Sequence, residues 1–222
     1  MNNEQWFRIP DWPTLRTVLL WCLVIDLLFF PIYGGVNWLT SQRNDLLALY
    51  LPIELDIPLV PAAVWVYLSL FLLFCLPLFT IPRERARSEA LAAILGLLVA
   101  AVLWLLFPAQ LGFERMLPAG YETLYGVMFT LDAPHNLVPS LHIVFATIAV
   151  SACGEGAPRA IKTALWAWLA CIAASTLLTH QHHVLDVATG LLIALGCRGI
   201  ALGRSPQSYL QPVPHLVKEQ KG

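Results

Sequence analysis

Two short stretches hold the side chains best able to do chemistry: Pro139-Ser140-Leu141-His142 and Thr179-His180-Gln181-His182-His183-Val184-Leu185-Asp186. Histidine can attack as a nucleophile or exchange a proton near neutral pH. His182 and Asp186 stand four apart where a helix is expected to begin, so their side chains share a face. A carboxylate there accepts a hydrogen bond from one ring nitrogen and leaves the other free and nucleophilic. His183, three before Asp186, reaches it equally well by spacing alone. Pro139-Ser140 reads as a helix start, with the serine as cap. The free N–H groups of such an end favour an anion, with His142 within one turn of it. An ordinary cap beside a half-exposed histidine has the same signature. Arg115 adds a guanidinium that can grip two phosphate oxygens at once; its plainer reading is a side chain snorkelling to an interface.

Apolar helices must position these groups. Of the 222 residues, 58% are hydrophobic and 12% charged, about half the roughly 25% charge of a soluble domain. A chain solvated by lipid fits that deficit. A hydrocarbon core of ~30 Å needs about 20 apolar helical residues. Six stretches answer to it, roughly 14–33, 57–80, 88–108, 139–157, 160–180 and 182–202. The expectation is an all-α integral membrane protein, one six-helix domain over 1–222. The fourth stretch is the weakest, with 13 unbroken apolar residues from Leu141 to Cys153. The first reads as a retained helix, since no short apolar core is followed by a small-residue cleavage site. The five cysteines (Cys22, Cys75, Cys153, Cys171, Cys197) are odd in number and scattered. They read as small buried hydrophobes, and not as a disulfide framework or a zinc site.

Charge placement gives the expected sides. With six spans, one face collects Arg8, Arg16, Arg83, Arg85, Arg87, Arg159, Lys162, Arg198, Arg204, Lys218 and Lys221, and the other Arg43 and Arg115. Eleven against two predicts that both termini are cytoplasmic. Both histidine stretches then fall on the outer face, and a short chain with this bias suggests a bacterial inner membrane. Trp6, Trp12, Tyr33, Trp38 and Tyr50 read as interfacial anchors. The net charge of −1 and the lack of a basic stripe argue against nucleic acid as a partner.

Taken together, the motifs resemble those of the type 2 phosphatidic acid phosphatase superfamily, a six-helix membrane core with three motifs. The first is Lys, six residues, Arg-Pro; here it is Pro108, six residues, Arg115-Met116. The second is Pro-Ser-Gly-His, here Pro139-Ser140-Leu141-His142. The third is Ser-Arg, five residues, His, three residues, Asp, here Ser175-Thr176, five residues, His182, three residues, Asp186. The match covers roughly 108–190. Two cations of the motifs are replaced, by Pro108 and Thr176. With Phe107-Pro108, Pro-Ser-Leu-His and Thr-His-Gln-His-His, the pattern looks more like the branch containing inositol phosphorylceramide synthases. The missing cations weaken the case for a free dianionic phosphate and leave a phosphodiester open.

The resemblance implies a lipid phosphatase working on the outer face. His182 would attack phosphorus and form a phosphohistidine, with Asp186 orienting the ring. His142 would protonate the departing oxygen and then activate water or an acceptor alcohol. Arg115 and the amides around Ser140 and Leu141 would hold the equatorial oxygens. His183, Asn136 and Thr176 are further positions for substrate contact, and His135 and His180 touch substrate or merely shape their loops. The scheme requires no metal or other cofactor; His180, His182 and His183 cannot all face one ion from a single helix. The partner is a membrane lipid phosphate. A head-group phosphotransferase is the close rival, and a transporter or non-catalytic scaffold the third. Against transport, polar residues are scarce at mid-membrane; Asp26 reads as a buried hydrogen-bonding group. The long 109–138 connection carries an apolar stripe, Leu124, Val127, Met128 and Leu131, that either borders a lipid entrance or covers the bundle. His215, in the polar tail, has no expected role.

Overall fold

The computed structural model describes residues 6–132 and 134–203. Arg204, His215, Lys218 and Lys221 lie outside the described residues. Five helical spans are long and apolar enough to cross a membrane: α1 (Trp12–Ser41), α2 (Pro61–Thr80), α3 (Arg83–Leu106), α6 (Arg159–Leu178) and α7 (Val184–Ala201). Between them lie α4 (Glu122–Leu131), in the long connection, and α5 (Leu141–Gly154). Among the described residues there is no strand, only a single bridge between Leu47 and Ala109. The protein is an all-α, multi-pass membrane bundle.

Helix α5 is shorter than its expected 139–157. Its 14 residues span about 21 Å at 1.5 Å per residue, against a hydrocarbon core of ~30 Å. It tolerates that length because protein surrounds it. One face packs Leu141, Val144 and Ile148 against the small-residue face of α3, Ala93, Leu97, Ala100 and Ala101. The other packs Ile143, Ala146, Ala149 and Val150 against Leu70 and Leu73 of α2 and Leu165, Leu169 and Ile172 of α6. Lipid chains are as apolar as leucine, so helices here associate through close packing, which small residues permit. A Cβ at Gly96 would lie 2.7 Å from Val144, which is how near α3 comes to α5.

The ends of α5 touch opposite ends of the bundle. Ser140, before it, donates its N–H to the Asp186 carbonyl at 3.0 Å. Cys153, at its far end, receives the Trp6 indole N–H at 2.7 Å and the Thr80 hydroxyl at 3.1 Å. At that far end Arg198 forks onto Glu89 with two bonds of 2.8 Å and reaches Glu155 at 2.8 Å. Arg85 pairs with both Glu89 and Glu155. Arg198, counted above among surface charges, is 2% exposed; an arginine buried this deeply persists only when paired.

Other expectations need correction. The second span starts at Pro61, not 57, and is broken into short pieces, Val64–Leu68, Leu70–Cys75 and Pro77–Thr80. Its approach is extended, with the Val60 N–H on the Leu178 carbonyl at 2.9 Å, and Pro77 has no N–H to continue a ladder. Of the cysteines only Cys153 and Cys197 are buried; Cys22, Cys75 and Cys171 are exposed. Asp26 is exposed on α1, not buried. In a bundle this thin, apolar residues point outward as often as inward.

Candidate active site

Both histidine stretches meet at the end opposite the Arg–Glu cluster. His182 precedes α7 instead of lying in it, and Asp186 occupies the first turn. The Asp186 carboxylate accepts the His183 backbone N–H at 2.9 Å and faces His182 Nδ1 at 3.1 Å, both through Oδ2. One oxygen thus caps the helix and fixes the His182 ring. His182 Nε2 then faces His142 Nδ1 at 3.4 Å, the rings tilted by 64°. His182 is 3% and Asp186 1% exposed. The turn before them hangs on Thr176, whose carbonyl accepts the N–H groups of Gln181 (2.9 Å) and His182 (3.2 Å).

The tie between α5 and α7 leaves no room for a side chain at Gly190. A Cβ there would come within 2.8 Å of the Ser140 carbonyl oxygen. The Trp104 indole donates to the Pro139 carbonyl at 3.0 Å, anchoring the same turn from α3. Ser140 does not cap its helix as expected; its hydroxyl is buried without a partner. Its amide is spent on Asp186, so the Ser140 hydroxyl and the first-turn N–H of Leu141 are what a phosphate would meet.

His183 and His180 are held for structure. His183 Nε2 accepts the Gly112 N–H at 3.1 Å, so its Nδ1 carries the proton toward Glu54, 3.3 Å away. Its ring lies between Tyr50 and Phe113, each 4.5 Å off. His180 Nε2 donates to the Ile57 carbonyl at 2.9 Å, its ring stacked on Phe113 at 4.0 Å. Both ring nitrogens of His183 are thus engaged. The Tyr50 ring also covers Gly112, where a Cβ would come within 2.5 Å. Glu54 also accepts the N–H groups of Leu51 (2.9 Å) and Val184 (2.8 Å). Burial pushes this carboxyl up, but those two N–H groups and His183 outweigh it and hold it below its ordinary value.

A second layer was not foreseen. The Asp132 carboxylate takes the Tyr33 hydroxyl on one oxygen and lies 3.5 Å from the Tyr67 hydroxyl with the other. Tyr67 in turn lies 2.9 Å from His142 Nε2. Tyr33, expected at the interface, is thus a site-supporting residue. One weak hint was legible beforehand: Asp132 is the single carboxylate between Glu122 and Glu155. Asn136 ties its loop to α1 through the Tyr33 carbonyl at 3.0 Å, leaving its own amide oxygen unpartnered. Thr176 turns its hydroxyl back onto the Ala173 carbonyl at 2.8 Å.

Arg115 does not snorkel. Its Nη atoms donate to the carbonyls of Phe129 (3.3 Å) and Asp132 (2.6 Å), and its plane lies 4.7 Å over Phe129. Nε is buried without a partner. A cavity of about 230 Å³ opens beside it, lined by Leu46, Gln110, Leu111, Phe113, Pro134 and His135. Burial lowers the guanidinium from its usual range, against the pull of Asp132. Burial and then the Arg115 charge hold His135 below its ordinary value. In α4, Tyr125 and Met128 of the apolar side are buried against Val64 and Tyr67, while Val127 and Leu131 stay exposed.

Asp132, His142 and His182 bring one ligating atom each to within 4.8 Å of one another. That donor set suits a divalent cation, and it differs from the His180–His182–His183 trio, whose rings diverge.

Paired histidines, one braced by a carboxylate, at one end of an all-helical membrane bundle define the class of architecture. No protein-family model matches the chain, and no curated protein does. Among solved structures, the crystal structure of Aquifex aeolicus LpxE matches with a TM-score of 0.52 at 22% identity. The match covers 71% of this chain and 96% of that one. The two share a fold.

Proposed function

We propose that this protein is a membrane lipid phosphatase that hydrolyses a lipid phosphomonoester through a phosphohistidine, with its site on the outer face of the cytoplasmic membrane. The observation that carries the reading is the pair of facing nitrogens, His182 Nε2 and His142 Nδ1, 3.4 Å apart, with His182 Nδ1 fixed on Asp186. Parting the two rings to admit a phosphoryl group would put a nucleophile on one side of it and a proton donor on the other. As the bond from His182 Nε2 to phosphorus forms, the bond to the lipid oxygen breaks and His142 supplies that oxygen's proton. His142 then takes a proton from water, which attacks phosphorus and releases phosphate. Arg115 Nε, the Ser140 hydroxyl and the Leu141 N–H would meet the oxygens that gain charge; the buried Arg115 Nε and Ser140 Oγ without partners support that role. The resemblance of the three motifs supports the same reaction class. No step needs a metal.

A second reading, head-group transfer between lipids, is favoured by one feature. With Pro108 and Thr176 in place of two cations, and Asp132 near both histidines, the site carries little positive charge for a dianion. The grouping of Arg8, Arg83, Arg85 and Arg198 at the far end supports a cytoplasmic placement for that end. The test is an assay of purified protein in EDTA against lipid phosphomonoesters and phosphodiesters, with His182→Ala alongside. His182-dependent phosphate release supports the phosphatase; a head group moved between lipids supports the rival; activity lost to EDTA overturns the metal-free scheme.

A further inference from the structure

We infer that Asp132, acting through Tyr67, sets which nitrogen of His142 carries its proton, so that Asp132 and Tyr67 are positioning residues for the acid step. The inference rests on the reading of His142 as the proton donor.

Each of the two histidines presents one nitrogen to the other and one to a support. For His182 the support is Asp186. For His142 it is the Tyr67 hydroxyl, at 2.9 Å from Nε2. A phenol has one proton to give, and Tyr67 has two neighbours that could take it, His142 Nε2 and Asp132 Oδ2. The carboxylate is the stronger acceptor, so Tyr67 donates to Asp132 and accepts from His142 Nε2–H. His142 Nδ1 is then the nitrogen that faces the reacting centre.

His182, protonated at Nδ1 toward Asp186, likewise turns a lone pair inward. The two nitrogens stand 3.4 Å apart, and a carboxylate oxygen of Asp132 lies within 4.8 Å of a nitrogen on each ring. His142 Nδ1 is thus the nitrogen through which a proton passes to the leaving oxygen.

The groups around His142 are few. His182 faces it from the turn before α7, Tyr67 from α2, and Asp132 from the connection after α4. Tyr33 of α1 and Arg115 bear on it through Asp132, and Asp186 through His182. Arg115 opposes Asp132, but its guanidinium is bonded to the Asp132 carbonyl and not to its carboxylate. The carboxylate's hydroxyl partners, Tyr33 and Tyr67, are neutral, so its charge remains available to His142.

Two measurements test this. Ring ¹⁵N spectra of detergent-solubilised protein should report His142 protonated at Nε2, and Tyr67→Phe should abolish that preference. In the pH–rate profile, Asp132→Asn should lower kcat about tenfold or more with KM little changed. Asp132→Glu should restore part of the loss. Unaltered ring shifts in Tyr67→Phe overturn the inference, as does a raised KM with kcat unchanged in Asp132→Asn. If Asp132→Asn does not fold, the Tyr67→Phe spectra decide alone. A wild-type protein silent on every lipid phosphate would overturn the proposed reaction, while the ring spectra would still judge the network.

Discussion

The two ends of the bundle handle buried polar groups in opposite ways. At one end Arg85, Glu89, Glu155 and Arg198 form a closed cluster in which two positive charges meet two negative ones. At the other, Arg115 Nε, His135 Nδ1, Asn136 Oδ1, Ser140 Oγ and Gln181 Oε1 are buried without partners. Among the described residues, only Thr147 and Ser151 of α5 join them on that account. A polar atom left unpaired in a low dielectric is costly, so each of these calls for a partner, whether water, ion or ligand. The saturated end holds helices together; the unsaturated end is where phosphate chemistry is proposed.

Substitutions that treat the two ends alike should therefore give opposite results. The largest effect is expected at the histidines. Asp186→Asn should cut turnover by about a thousandfold, roughly 4 kcal/mol of barrier, with little change in thermal stability beyond the cap. Steady-state rates beside melting curves in detergent check this. At the closed end, Glu89→Gln leaves Arg85 and Arg198 sharing the single carboxylate of Glu155 and should cost about 3–5 kcal/mol of stability, seen as a lower Tm, while kcat of the folded fraction stays near wild type. A large loss of kcat there would break the division between the ends.

Gly190→Val should fall between the two classes. It forces α7 from the Ser140 carbonyl, costing about 1–3 kcal/mol and lowering kcat by parting His182 from His142. The smallest effect concerns Glu54. Its folded-state value is depressed, so the stability it adds is present above the ordinary glutamate range and lost as pH falls through its folded value. Wild type should lose a few degrees of Tm on acidification from neutral pH that Glu54→Gln does not lose; identical slopes would remove Glu54 from that role.

Local spacing carried much of this. His182 and Asp186 were legible because four residues at a helix start fix their geometry, and the Pro139–His142 turn because proline and serine mark a helix end. Apolar length gave most of the spans. What stayed hidden depends on contacts far apart in sequence. Asp132 meets Tyr33 and Tyr67 across 99 and 65 residues, and Glu54 meets His183 across 129. Those partners look like interface aromatics and loop acids until the helices bring them together. The brevity of α5 was hidden for another reason: hydropathy measures apolar length, not whether lipid or protein covers it. Asp26 and three cysteines were misplaced because, in lipid, an apolar stretch has no fixed inside.

The central claim is that His182 is the nucleophile. Purified protein would be mixed briefly with a lipid phosphomonoester, quenched in alkali, and mapped by mass for phosphorylated residues. The account predicts phosphate on His182 and none on any residue of His182→Ala. Phosphate on His183, or turnover in His182→Ala near the wild-type rate, would contradict it.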